Sequence, residues 1–185
     1  SYVDSAQASD YKTNLEKLTY DGHSLVWGIG NTFADDIYSV ANANPNTHYA
    51  IADYTYEKGV PVKNLTAVGF KSQEPAFLVG YVAGKTTKTN IVGFVGGQNN
   101  VIINQFKYGF EAGVKYAAKE LNKDITVVSK FADTFMDSAK GKSIALEMYN
   151  VQNCDIIFQA AGETGKGVIE EAKELDKFVI GVDRD

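Results

Sequence analysis

Residues 91–97 (IVGFVGG) decide how the rest of this chain is read. The run is apolar without alternation, rich in β-branched and aromatic residues, and ends on glycines. That is how a parallel strand reads when helices cover both of its faces. Downstream, Phe106, Phe110, Val114, Ala117 and Leu121 recur at spacings of four, four, three and four. They form one apolar stripe, with Lys107, Glu111, Lys115 and Lys119 off it, so the stretch predicts an amphipathic helix.

The same alternation extends in both directions. Short apolar runs ending in Gly, Asp or a polar residue recur at 25–30 (LVWGIG), 49–53 (YAIAD), 65–70 (LTAVGF), 125–129 (ITVVS), 155–162 (DIIFQAAG) and 178–183 (FVIGVD). Residues 2–4 read as the tail of a further strand. Between the runs, 10–18 carries Tyr11, Leu15 and Leu18 on one face. Thr32 with Asp35 resembles a capping box before Ile37. Asp137 precedes a helical stretch at 138–148, and Thr164 precedes another at 165–175. Strands alternating with helices predict an α/β chain built from parallel sheets. The polar, basic stretch 85–90 (KTTKTN) divides two similar halves. Two Rossmann-like lobes, 1–87 and 88–185, are therefore expected; a single sheet of seven or eight strands is the competing architecture.

Bulk properties remove several function classes. A net charge of −5 repels a phosphate backbone, so nucleic acid is not an expected partner. No apolar run approaches the roughly 18 residues that cross a bilayer. The single cysteine, Cys154, adjoins the apolar Ile156–Phe158 segment and reads as a buried thiol rather than a reactive one. His23 and His48, the only histidines, have no partner at metal-ligand spacing. Residues 162–167 (GETGKG) imitate a phosphate loop, but Ala160 replaces its first glycine and Gly167 its magnesium-binding hydroxyl. Gly28 and Gly30 open a dinucleotide fingerprint that Phe33 then breaks. No Gly-x-Ser-x-Gly elbow occurs. Asn64-Leu65-Thr66 fits a glycosylation acceptor and is assigned no role. Neither catalysis nor a cofactor is expected.

What remains is the set of strand ends, where parallel sheets bind ligands. Gly28-Ile29-Gly30-Asn31, Ala52-Asp53-Tyr54, Gly96-Gly97-Gln98-Asn99, Ala161-Gly162-Glu163-Thr164 and Val182-Asp183-Arg184-Asp185 are rich in glycine and carboxylate. Glycines admit close approach of backbone N–H groups. A carboxylate can accept two hydroxyl hydrogens at once. Each site taken alone also reads as turn or helix capping. Phe33 and Phe106 are candidates to stack on a flat ligand, although Phe106 also opens the core stripe.

The segments 91–97, 106–114 (FKYGFEAGV), 156–167 (IIFQAAGETGKG) and 179–185 (VIGVDRD), in this order, resemble the basic membrane protein family. So do Asn44-Pro45, the 49–53 run and 74–80 (EPAFLVG). This is the group of bacterial lipoproteins that includes purine nucleoside receptors. The resemblance implies a type I periplasmic-binding fold, with a nucleoside such as inosine, guanosine or adenosine gripped between the lobes and handed to an ABC transporter permease. By the same resemblance Asp183 accepts the ribose hydroxyls, Asp53 accepts hydrogens from the ligand's polar edge, Phe106 stacks on the purine and Gly162 contacts the ligand through its backbone. Phe33, Gly30 and Asn31 line the same edge. The family's first strand and its C-terminal elements are absent from these 185 residues, so truncation at both ends is expected. An extracytoplasmic location, with a lipid anchor upstream of Ser1, follows from the resemblance alone. A pentose or signalling sugar is the alternative ligand. The effector lobes of a transcription regulator and a nucleoside-processing enzyme are the alternatives from other classes.

Overall fold

A computed structural model describes residues 1–56, 58–60 and 62–183. All seven apolar runs form strands, and the chain folds as two compact units, Ser1–Phe70 and Lys71–Asp185.

In the first unit, β1 (Leu25–Ile29), β2 (His48–Ala52) and β3 (Leu65–Val68) form a parallel sheet in that order. Val26 lies opposite Tyr49, and Tyr49 opposite Leu65. Helices α1 (Asp10–Tyr20) and α2 (Ala34–Ala43) contribute Leu15, Ile37, Val40 and Ala41 to a core with Val26, Tyr49, Ile51 and Leu65. Those strand residues share one sheet face, because side chains alternate along a strand. The opposite face is open at β1, where Leu25, Trp27 and Ile29 are 50%, 47% and 69% exposed. The prediction that helices cover both faces therefore fails here. α1 packs on β1, α2 on β2, and the two helices on each other, which places both on one side. Residues 2–4 join no ladder. Asn64 serves the fold: its Nδ2 donates toward the carbonyls of Ala41, Asn44 and Thr47, tying the β3 entry to the end of α2.

The second unit meets the expectation on both faces. Its parallel sheet runs β5 (Thr126–Phe131), β4 (Ile91–Gly96), β6 (Ile156–Ala160), β7 (Phe178–Ile180). Val92, Phe94, Ile156 and Phe158 face α3 (Gln73–Thr86) and α4 (Val101–Leu121). Val95 and Ile157 face α5 (Ser138–Asn150) and α6 (Glu163–Glu174). The predicted stripe of α4 is buried at Phe110, Val114 and Ala117, half-buried at Phe106, and exposed at Leu121, the last residue of the helix. Asp137 caps α5 where the sequence placed a helix start, its side chain accepting from the Lys140 amide, and Asn100 caps α4 by accepting from the Ile103 amide.

α3 ends inside the polar stretch 85–90, so nearly all of it comes before that stretch, yet it lies in the second unit. Its partner is α4, and small residues set the approach. Gly80 of α3 stands against the Phe110 backbone, and Gly113 of α4 against the Phe77 carbonyl. Contact at backbone distance fixes the helix pair as one block.

Asp155, just before β6, clamps the segment that joins α3 to β4. Its carboxylate accepts from the Thr87 hydroxyl at 2.6 Å and from the amides of Lys88 at 2.6 Å and Thr89 at 3.2 Å. Burial alone would raise the Asp155 pKa, but these bonds to the charged form outweigh it and hold the carboxyl below its ordinary range. A depressed folded pKa means that the stabilisation is present above the unfolded carboxylate range. It is lost as pH falls through the folded value. Asp155→Ala is expected to destabilise the protein by about 2 kcal/mol at neutral pH, with the difference from wild type shrinking in strongly acidic buffer. Urea melts of both proteins at neutral and acidic pH check this; a pH-independent difference contradicts it.

Candidate functional site

Backbone conformation separates the strand ends from the other turns. Among the described residues, Gly59, Asn90 and Asn153 have positive φ in connecting loops, and Gly22, Asn122 and Asp176 have it within two residues of a helix end. That is the usual left-handed exit from a helix, as at Asn122, whose amide bonds back to Lys119. A second group sits just beyond strands: Gly30 after β1, Asp53 after β2, Asp133 after β5, Gly162 after β6 and Asp183 after β7. No helix needs terminating at those five places. Asp tolerates the left-handed region better than most residues, but at a cost relative to glycine. Aspartates in that conformation at the carboxyl ends of parallel strands point to function.

In the first unit, Gly30 and Asp53 emerge side by side, since Ile29 pairs with Ala52 and the Gly30 amide donates to the Ala52 carbonyl at 3.1 Å. The Asp53 amide donates to Val68 at 2.8 Å, fixing it against the end of β3. A Cβ on Gly30 would meet nothing within 4 Å, so its φ of 109° rather than crowding calls for glycine. Asn31 opens a 3-10 turn, Asn31–Phe33, that leads into α2. This turn replaces the expected Thr32–Asp35 capping box; the residue before α2 is Phe33, without a side-chain cap. The Phe33 ring lies 4.3 Å from that of Tyr11, centroid to centroid, and packs against the unit's core. Gly28 makes room for it, as a Cβ there would stand 3.1 Å from the Phe33 Cβ. The apparent dinucleotide fingerprint is thus a packing arrangement.

In the second unit, Gly162 (φ 56°, ψ −132°) is the exposed residue between β6 and α6. Phe106 is half-buried, with its ring 6.3 Å from Phe158. Phe106 and Val182, the neighbour of Asp183, pack against the same cluster. Asp183 is exposed at φ 70°; Arg184 and Asp185 lie outside the described residues. Gly30, Asn31 and Asp53 therefore share one strand-end rim, and Phe106, Gly162 and Asp183 occupy the corresponding end of the other sheet. Asp133, exposed at φ 58°, joins that end and was not among the predicted residues. Its signal was hidden because the 125–129 run stops short of the strand, which continues through Phe131.

Cys154 is fully buried, and burial first, then the Asp155 charge, pushes its thiol up to about 11. It is therefore a packing residue. Among the described residues no group of three or more His, Cys, Asp and Glu could hold a metal ion. No helix among them is long and apolar enough to cross a membrane.

Two α/β units with polar, glycine-bearing strand ends are the architecture that solute-binding proteins use. The PnrA-like family of ABC transporter substrate-binding proteins matches residues 1–185, and the chain belongs to it. It is 44% identical to basic membrane protein D of Borreliella burgdorferi, over 96% of this chain and 51% of that protein. It is 42% identical to the CD4+ T-cell-stimulating antigen of Listeria monocytogenes, over 100% of this chain and 52% of that one. The chain thus spans about half the length of the curated relatives it matches. A solute-binding protein of an ABC transporter system from Aeropyrum pernix shares the fold, with a TM-score of 0.82 at 22% identity, over 96% of this chain and 50% of that one. The family is one of transport receptors and not of enzymes.

Proposed function

We propose that the protein binds a purine nucleoside reversibly, without chemistry, and delivers it to an ABC importer from outside the cytoplasm. A lipid anchor joined to the protein upstream of these residues belongs to the same proposal. The observation that carries it is the pair Asp53 and Asp183, one in each unit, both left-handed at a strand end. Carboxylates held there suit the paired hydroxyls of ribose and the N–H edge of a base. Phe106, whose ring is only half-buried, supplies a flat apolar surface in the same unit as Asp183.

Isothermal titration of the full-length protein with inosine, guanosine and adenosine tests this. Saturable heat is expected from at least one, with inosine recovered intact. Release of free hypoxanthine would make the protein an enzyme. Heat with ribose alone would support the second reading, a pentose receptor. That reading is favoured by one feature, the packing of the Phe106 ring near Phe158, which leaves less of it for a base. Silence with every nucleoside from folded protein rejects the nucleoside assignment.

A further inference from the structure

The segment from Phe131 to Asp137 crosses the ends of β4 and β6, and one buried side chain fixes it. Thr164, in the first turn of α6, is fully buried. Its hydroxyl donates to the Thr134 carbonyl at 3.1 Å and accepts from the Asp137 amide at 3.0 Å. Its own amide donates to the Phe135 carbonyl at 3.1 Å. One threonine thus takes up three backbone groups of a loop about thirty positions earlier in the chain.

The loop is docked from the other side as well. The Ala132 amide donates to Gly96 and the Thr134 amide to Gly97, both at 2.9 Å. The Phe135 ring fills the space that a side chain on Gly97 would occupy. The Phe135 carbonyl stands 3.3 Å from where a Cβ on Gly162 would be. The loop therefore touches both glycines that end β4 and β6, and it carries three exposed residues, Asp133, Met136 and Asp137, with Met136 66% exposed.

We propose that Thr164 is a positioning residue for the ligand: it holds loop 132–137 across the strand ends, so that the loop forms one wall of the binding site beside Gly162. This rests on the receptor reading above. A valine keeps the shape of threonine but can neither donate to Thr134 nor accept from Asp137. The wall then loosens while the fold persists. A serine retains both bonds.

The test compares wild type, Thr164→Val and Thr164→Ser in the full-length protein. Nucleoside affinity and dissociation rate are measured well below the melting temperature, together with hydrogen exchange of the Asp137 amide. Thr164→Val is expected to exchange faster at Asp137 and to bind at least tenfold more weakly through faster dissociation, with Thr164→Ser close to wild type. A purely structural threonine would lower the melting temperature and leave the affinity of the folded protein alone. Wild-type affinity in a folded Thr164→Val protein overturns this proposal by itself. Silence of the wild type overturns the nucleoside reading and this proposal with it. If Thr164→Val does not fold, Thr134→Val decides. It removes the Thr134 hydroxyl that accepts from the Met136 amide at 3.1 Å. Weaker binding by several fold is then expected, and unchanged binding overturns the proposal.

Discussion

Gly113→Ala is expected to lower the stability of the protein by about 3 kcal/mol, or roughly 6–12 °C in melting temperature for a chain of this size. Propensity argues the other way, since alanine in a helix interior gains up to about 1 kcal/mol over glycine. Packing decides the sign. The added methyl would be driven into the Phe77 carbonyl oxygen and would stand 2.7 Å from the Tyr81 amide nitrogen. Both obstacles are backbone atoms of α3, so no rotamer change relieves the clash. The helices must separate, and the contacts of Ala76, Ala83, Phe110 and Val114 in the core loosen together. Gly80→Ala meets the Phe110 backbone in the same way. Lys119→Ala, on the exposed side of α4, is the control and should change stability by no more than about 0.5 kcal/mol. Thermal melts followed by circular dichroism read all three, and a Gly113→Ala protein as stable as wild type would refute the close-packed helix pair.

These glycines also show where sequence reading stops. Seven strands were legible because β-branched and aromatic runs ending in Gly or Asp are local signals. The phase of α4 was legible from its apolar stripe. The affiliation of α3 was not, because glycines at positions 80, 84, 109 and 113 look like helix breakers until their partner helix is known. Only then do they become the contact surface. The open face of β1 was hidden for a related reason. An unbroken apolar run reports how apolar each face is, not which face a helix covers, so Leu25, Trp27 and Ile29 read as core. Gly30, Asp53, Gly162 and Asp183 could be placed at strand ends from the sequence, because glycine and aspartate close the apolar runs. The left-handed conformation they share was not visible. Thr164 read only as a helix-start residue, since its hydroxyl bonds join segments about thirty residues apart.

Asp183→Asn is expected to weaken nucleoside binding by about a hundredfold or more. The substitution is chosen because asparagine matches aspartate in size and tolerates positive φ, so the backbone at φ 70° is undisturbed. What changes is the acceptor. A carboxylate can receive two ribose hydroxyls in charge-assisted bonds, each contributing about 1.5–3 kcal/mol. An amide offers one neutral acceptor oxygen and turns N–H donors toward the second hydroxyl. Losing about 3 kcal/mol corresponds to slightly more than two decades in Kd. Asp53→Asn tests the other unit and should also weaken binding. Asp176→Asn supplies the internal control. That aspartate is also left-handed, at φ 52°, but it follows α6, so its conformation belongs to the helix exit. Its substitution should leave Kd unchanged. Titration calorimetry on wild type and these variants separates the two classes of left-handed aspartate. Equal affinity for wild type and Asp183→Asn would mean that the strand-end carboxylate serves the turn and not the ligand.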